Sequence, residues 1–326
     1  MAKDTFLVTG SSGCIGSWVL RALINDNVRV VAADASEDYP RPRLLMSPGE
    51  LEKIHFVTLD IRDLAALKAL ITEEQVTHVI HLAALQVPFC KADPALGAQV
   101  NVVGTVNVFE AVRHAEDQVK GFTYASSVAV FAPESYYPEK PLADGAPLKP
   151  DTIYGVYKQA NEHTARVYWQ DWNVSSVGLR PIIAYGVCRD QGLTSDISKA
   201  ILAAAADRPF HIKFSGLVGL QYNADVAQMF INAARSGQKG TLVCNMRNDI
   251  IRVSDFVLEL KMEAPEAQIT YEEGNPLPFP SDLDDSNLKR LLGSVPHTPL
   301  KKAIRQSLDQ YKDLLAQNRI DLGQLE

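Results

Sequence analysis

A tyrosine and a lysine four residues apart, in Tyr154-Gly155-Val156-Tyr157-Lys158, have the types and spacing to do proton chemistry. On a helix they share one face. A phenol beside a fixed ammonium ion has its ionised form stabilised. It can then exchange a proton nearer neutrality than its reference pKa of about 10 allows. Tyr157 is a competing phenol next to Lys158, but it points about 100° away on a helix. Alone, such a pair also fits an ordinary solvated helix face.

The pair gains meaning from Thr9-Gly10-Ser11-Ser12-Gly13-Cys14-Ile15-Gly16, far upstream and directly after the apolar run Thr5-Phe6-Leu7-Val8. The loop opens the amphipathic stretch Ser17–Leu23, as a dinucleotide-binding turn does. Gly10 is suited to the tight turn, Gly13 to close approach of a pyrophosphate, and Gly16 to packing of helix on strand. Ser12, Cys14 and Ile15 complete the cofactor-facing loop. The spacing is Gly-x-x-Gly-x-x-Gly rather than Gly-x-Gly-x-x-Gly. With a nicotinamide dinucleotide in that loop, Tyr154 and Lys158 can oxidise a carbinol or reduce a carbonyl.

The elements that must position these groups alternate through the first half. Strands are expected at 5–9, 28–33, 54–58, 77–82, 121–126 and 174–180, with helices near 16–25, 62–74, 100–118 and 152–171. That order implies βαβ units and an α/β fold, a Rossmann-type doubly wound parallel sheet with binding residues at the strands' carboxyl ends. Pro133, Pro138, Pro141, Pro147 and Pro150 mark a loop over the cleft ahead of Tyr154. After Arg180-Pro181 the chain is expected to leave the sheet for a smaller, discontinuous C-terminal substrate-binding cap. The division is then 1–180 for the dinucleotide domain, returning near 218–250, and 181–326 mainly for the cap.

Whole-chain properties narrow the class. The 326 residues are 46% hydrophobic, enough for a large core. A net charge of −7 and no basic run argue against nucleic acid. No run of about 18 uninterrupted apolar residues suggests a membrane span, and Met1-Ala2-Lys3-Asp4 enters the first strand at once, without a signal peptide. Cys14, Cys90, Cys188 and Cys244 are widely spaced, reading as reduced thiols without a metal site. The expectation is a cytoplasmic enzyme with a small-molecule substrate.

Asp34 ends the second strand 24 residues after Gly10, where an acid grips ribose hydroxyls and repels a 2′-phosphate. NAD is therefore expected as cofactor, with Arg41 and Arg43 leaving some NADP tolerance open. Asp60-Ile61 is placed to meet the adenine. Leu82-Ala83-Ala84 is small enough for close cofactor passage, and His81 before it reads as structural rather than as a base.

These pieces, with Asn101-x-x-Gly104-Thr105, Ser126-Ser127, Glu162 and Arg180-Pro181, resemble the extended short-chain dehydrogenase/reductases. More narrowly, they resemble the NAD-dependent epimerase/dehydratase family, over residues 5–232, with a weaker echo in Leu292-Gly293 and Pro299-Leu300. The resemblance implies that Ser127 hydrogen-bonds the reacting oxygen and Tyr154 is proton donor and acceptor. It implies that Lys158 holds the nicotinamide ribose and that Asn101 supports the cofactor site. It also suggests a homodimer built on helices 100–118 and 152–171, whose apolar residues Val102, Val106, Phe109, Val156, Ala160 and Val167 could equally cover the sheet.

Departures narrow the reaction. Val128 and Ala129 stand where family dehydratases carry an acidic pair, which argues against dehydration. Ile183, Val218 and Gly219 stand where nucleotide-sugar epimerases contact the uridine diphosphate, which argues against a nucleotide sugar. Substrate contacts then fall to Gln86, Ser127, Arg189, Thr194 and Ser195, with Arg189 either clamping a carboxylate or pairing with Asp190 or Asp196. The leading expectation is an NAD-dependent dehydrogenase of a free sugar or sugar acid. The alternative is an NAD-retaining sugar or nucleotide-sugar epimerase, followed by a non-catalytic NAD-binding regulator.

Overall fold

The computed structural model describes residues 4–325. Strands β1 (Thr5–Thr9), β2 (Arg29–Asp34), β3 (Ile54–Thr58), β4 (His78–His81), β5 (Gly121–Ala125) and β6 (Ser176–Arg180) fall within two residues of expectation at either end. With β10 (Thr241–Asn245) they form one parallel sheet in the order β3-β2-β1-β4-β5-β6-β10. The sheet is covered on both faces because side chains alternate along each strand. Phe6, Val8, Val30 and Ala32 pack with Trp18 and Leu20, whereas Leu7, Val31 and Val79 pack with Leu67 and Phe109.

Beyond β6, β7 (Ile183–Tyr185), β9 (Leu217–Tyr222) and β11 (Asp249–Arg252) make a separate three-stranded sheet. Strands β8 (Phe210–Ile212) and β12 (Ile269–Tyr271) make a two-stranded one. The chain returns between these pieces: helix Asn223–Arg235 lies on helix Cys14–Asn25 and on β4 and β5, and β10 then joins β6.

The helix expected at 100–118 differs most. It starts at Pro94, where the Asp93 carboxylate accepts from Leu96 N–H at 2.9 Å and proline suits the first turn. A π turn at Gln99–Val103 interrupts it, and the α-helix runs on through Gly104–His114. Glu116 and Asp117, unfavourable at a helix C-terminus, follow that end. The whole Pro94–His114 segment has the length and composition of a membrane span, but 44% of its most apolar window is buried in the fold. Phe109 covers the sheet, whereas Val103, Val156 and Val167 face outward.

Helix Ile153–Trp172 carries the tyrosine and lysine. Thr152 caps it by accepting from Gly155 N–H at 3.0 Å, and Asn173 ends it in the left-handed region at φ 55°. One turn beyond Lys158, Glu162 grips Arg180 of β6 with two parallel bonds of 2.7 and 2.8 Å, both side chains buried. The Ser126 hydroxyl donates to the same carboxylate, and Arg180 donates onward to the carbonyl of Asp144 and to Asn245 of β10. Removing the cation alone leaves an uncompensated buried charge. Arg180→Met should therefore lose roughly 3–5 kcal/mol. Urea melts of this variant and of Glu162→Gln/Arg180→Met check it: the double variant should regain part of the loss.

The Asp144 carboxylate accepts from Asn245 N–H, and burial raises its pKa to about 6 from an ordinary 3.8 despite the nearby Arg180. Its protonated form is thus favoured in the fold, a contribution present below pH 3.8 and lost as pH rises through 6. Asp144→Asn keeps the acceptor and removes the penalty. It should melt higher than the parent at pH 7.5, with the gap closing towards pH 4.

Candidate active site

One cleft of about 650 Å³ opens at the carboxyl ends of β1, β2, β4 and β5, where strand order switches direction on either side of β1. Gly10, Ser12, Gly13, Cys14, Ile15 and Gly16 form one wall. Asp34, Asp60 and Ile61 form the next, and Leu82, Ala83 and Ala84 the floor. Ser127, Tyr154 and Lys158 stand at the inner end, with Gln86, Arg189 and Thr194 beyond them.

Gly10 holds φ at +69°, and a Cβ there would lie 2.5 Å from the Ala83 nitrogen, so only glycine leaves the two loops in contact. Asp34 accepts from Ser12 N–H at 2.9 Å through one oxygen, which ties the ribose end of the cleft to the glycine turn. Backbone amides at a helix N-terminus, this carboxylate and the small floor residues fit a dinucleotide. Arg41, a possible partner for a 2′-phosphate, is committed elsewhere. It bonds Asp190 at 2.9 and 3.0 Å and the Ser12 carbonyl at 3.2 Å.

The inner end is assembled by close packing. A Cβ at Gly155 would meet the Ala129 carbonyl oxygen at 2.1 Å, so glycine lets the first turn of the helix rest on the turn Val128–Val130. Ser127 caps that turn, its hydroxyl accepting from Ala129 N–H at 3.1 Å. Lys158 donates to the Ala125 carbonyl at 2.7 Å, and its nitrogen lies 5.6 Å from the centre of the Tyr154 ring. His81 is neutral and structural: it bridges Thr9 at 2.7 Å and Thr105 at 3.0 Å, and burial pushes its pKa down to about 3.

Three expectations are corrected. The Tyr154 phenol is not brought towards neutrality: burial pushes it up to about 12, against a downward pull from the Ser127 hydroxyl and Arg189. Burial instead moves Lys158 down to about 8, because an ammonium ion loses more than it gains in this enclosed corner. Asn101 is absent from the cleft wall and fully buried within the π turn. Its amide bonds both N–H and C=O of Leu85, at 2.7 and 2.9 Å, so it holds the backbone following the floor. Ser195 is likewise buried off the wall, with its hydroxyl donating to Gly192 O at 2.9 Å.

The structure adds wall residues that sequence reasoning passed over. Arg62 holds Asp60 in a salt bridge and keeps its carboxyl below the usual range. The opposite charges two residues apart were the signal. Phe89 and Phe279 also line the cleft, and Phe279 could have been noticed as the lone aromatic between Pro278 and Pro280. Ile183, Val218 and Gly219 lie off the wall, the first two fully buried.

Residues 6–245 match the NAD dependent epimerase/dehydratase family. The chain belongs to that family. It is 29% identical to UDP-glucuronate 4-epimerase 4 of Arabidopsis thaliana, across 94% of this chain and 76% of that one. Among solved structures it is similar to a UDP-N-acetylglucosamine 4-epimerase from Methanobrevibacter ruminantium M1 in complex with UDP-N-acetylmuramic acid. The TM-score is 0.83 at 22% identity, covering 97% of this chain and all of the other. It is also similar to the UDP-glucose 4-epimerase of Thermus thermophilus in complex with NAD, with a TM-score of 0.78, 24% identity, and 94% and 99% of the two chains covered. As a member of this family the protein is an NAD-dependent enzyme of the short-chain dehydrogenase/reductase type.

Proposed function

We propose that the protein is a sugar epimerase that keeps its NAD bound through the catalytic cycle. The observation that carries this reading is a clasp at the rim of the cleft. Arg41, from the loop after β2, reaches Asp190 of the cap loop and the carbonyl of Ser12 in the glycine turn, while Cys188 bonds the Arg41 carbonyl at 3.4 Å. A dinucleotide lying along the glycine turn would leave only after that bridge opened. The 4-epimerase named among the relatives supports the same reading.

Bound NAD supplies the oxidation and the return reduction. The chain's residues govern the proton and the reacting oxygen. Ser127 and Tyr154 would hydrogen-bond that oxygen; Tyr154, protonated at neutral pH, gives its proton to a carbonyl and recovers it from a carbinol. Lys158, fixed on the Ala125 carbonyl, supplies positive charge and a ribose contact. Leu82, Ala83 and Ala84 present no bulky polar group to the cofactor, and Asp34 favours NAD over NADP by charge.

A second reading, a dehydrogenase of a free sugar or sugar acid, is favoured by Ile183, Val218 and Gly219. Their packing off the cleft wall leaves no nucleotide contact at those positions. Both readings share Ser127, Tyr154 and Lys158, and the fate of the cofactor separates them. Denaturing the purified protein and reading the supernatant should show near-stoichiometric NAD for the epimerase. In that case Arg41→Ala should release it during purification. A protein that arrives empty and binds added NAD reversibly would establish the dehydrogenase instead. Tyr154→Phe should lower kcat by about 10²–10⁴-fold in either case with NAD binding unchanged; undiminished turnover would overturn the proton role.

We also propose that two subunits pair through the outward row Val103, Val156 and Val167, with Trp172 at its end; all four are 38–50% exposed. Light scattering should give twice the chain mass, and Val103→Glu/Val156→Glu should return it to the mass of one chain with the fold intact.

A further inference from the structure

The Val187–Ser195 loop is held rigidly at its base. Trp18 and Asn223 both donate to the Val187 carbonyl, at 2.9 and 3.1 Å, and the Tyr311 hydroxyl donates to Gly186 O at 3.1 Å. Cys188 takes φ +76°, which turns the next side chain into the cleft. That side chain is Arg189. The acids nearest it in sequence are both engaged elsewhere: Asp190 by Arg41, and Asp196 by the backbone N–H of Lys213 at 2.8 Å. Arg189 makes one hydrogen bond, from Nη2 to the Thr194 hydroxyl at 3.1 Å, while its buried Nε has no partner among the described residues. An unpaired buried donor on a cation is expensive unless a ligand satisfies it.

Its surroundings place it at the substrate end. A Cβ at Gly192 would lie 2.5 Å from Gln86 Oε1 and 3.2 Å from Arg189 Nη2, so amide, guanidinium and bare backbone meet in one corner. Gly192 holds φ +97°, a conformation open to glycine, which lets its backbone lie directly against Gln86 and Arg189. The charge of Arg189 also reaches the Tyr154 phenol. The other cleft cations are committed: Arg41 to Asp190, Arg62 to Asp60, and Lys158 to Ala125 O beside Tyr154.

We infer that Arg189, steadied by Thr194 and flanked by Gln86, binds a carboxylate carried by the substrate next to the carbinol that Tyr154 serves. The substrate is a sugar acid. One free guanidinium matches one planar monoanion, and its fork allows two parallel bonds. This inference rests on the proposed role of Ser127, Tyr154 and Lys158 for its chemistry, but not for its binding.

The test uses the NAD-loaded protein and matched probes: D-glucuronate against D-glucose, D-galacturonate against D-galactose, and UDP-glucuronate against UDP-glucose. Turnover is followed by product sugar analysis and by absorbance of reduced cofactor, and binding by calorimetry. At least one acid should bind and turn over better than its neutral partner. Arg189→Met should lower kcat/KM for that acid about 10- to 100-fold more than for its neutral partner and keep the full load of NAD. Arg189→Lys should restore part of the loss. Equal losses on acid and neutral probes, or loss of NAD from Arg189→Met, would overturn the inference, the latter assigning Arg189 to the cofactor pyrophosphate. Failure of every acid to bind would also overturn it. Acids that bind through Arg189 without turnover would uphold the carboxylate site and sink the epimerase and dehydrogenase readings together.

Discussion

The buried pair of Glu162 and Arg180 is the contact on which the inner end of the cleft depends. It joins the middle of helix Ile153–Trp172 to β6, so the turn carrying Tyr154 and Lys158 has a fixed height above the sheet. Ser126 bonds the same carboxylate, which fixes the backbone leading into Ser127. Through Asp144 and Asn245, Arg180 also reaches the proline-rich loop and β10. Such a pair is weak as a source of net stability, because desolvation offsets attraction. Its value lies in geometry: a shift of one helical turn would leave a charge buried and unpaired.

Charge is distributed unevenly about this frame. The chain carries a net −7, yet four cations line its main cleft: Arg41, Arg62, Lys158 and Arg189. Arg62 is answered by Asp60 beside it and Arg41 by Asp190 of the facing loop, which confines their fields to the rim. Lys158 is held by a carbonyl deep inside, where burial lowers its proton affinity. The cleft thus passes from a compensated mouth to an electropositive interior, suited to a ligand whose negative charge sits near the reacting carbon.

Much of this was legible in the sequence because the relevant signals are local. The glycine turn, Asp34 at a strand end and the Tyr154–Lys158 spacing each depend on a few neighbouring residues, and all of them line one cleft. What escaped depends on distance in the chain. Asn101 was assigned to the cofactor site by family resemblance, whereas a π turn holds it inward on the backbone of Leu85. Arg41 and Asp190, 149 residues apart, could not be paired from spacing. The Tyr154 phenol was expected to feel Lys158 first, whereas burial matters more, and burial is a tertiary property. Strand ends held closely because alternation of buried side chains marks them; the helix expected from 100 begins at Pro94 because Asp93 caps it and proline suits its first turn.

The interleaving of cap and sheet bears on how the molecule can move and unfold. The chain leaves the main sheet after β6, returns with helix Asn223–Arg235 and β10, and leaves again at β11, so it crosses that boundary three times. A hinge needs few strands of backbone to bend together; three crossings, with Trp18 and Tyr311 bonded to the backbone around β7, resist it. Neither part keeps its apolar face covered without the other, because helix Asn223–Arg235 belongs to one by packing and is flanked in sequence by both. Unfolding one part therefore exposes apolar surface of the other. The Val187–Ser195 loop can thus be redrawn alone, while the crossings keep the rest of the fold in register.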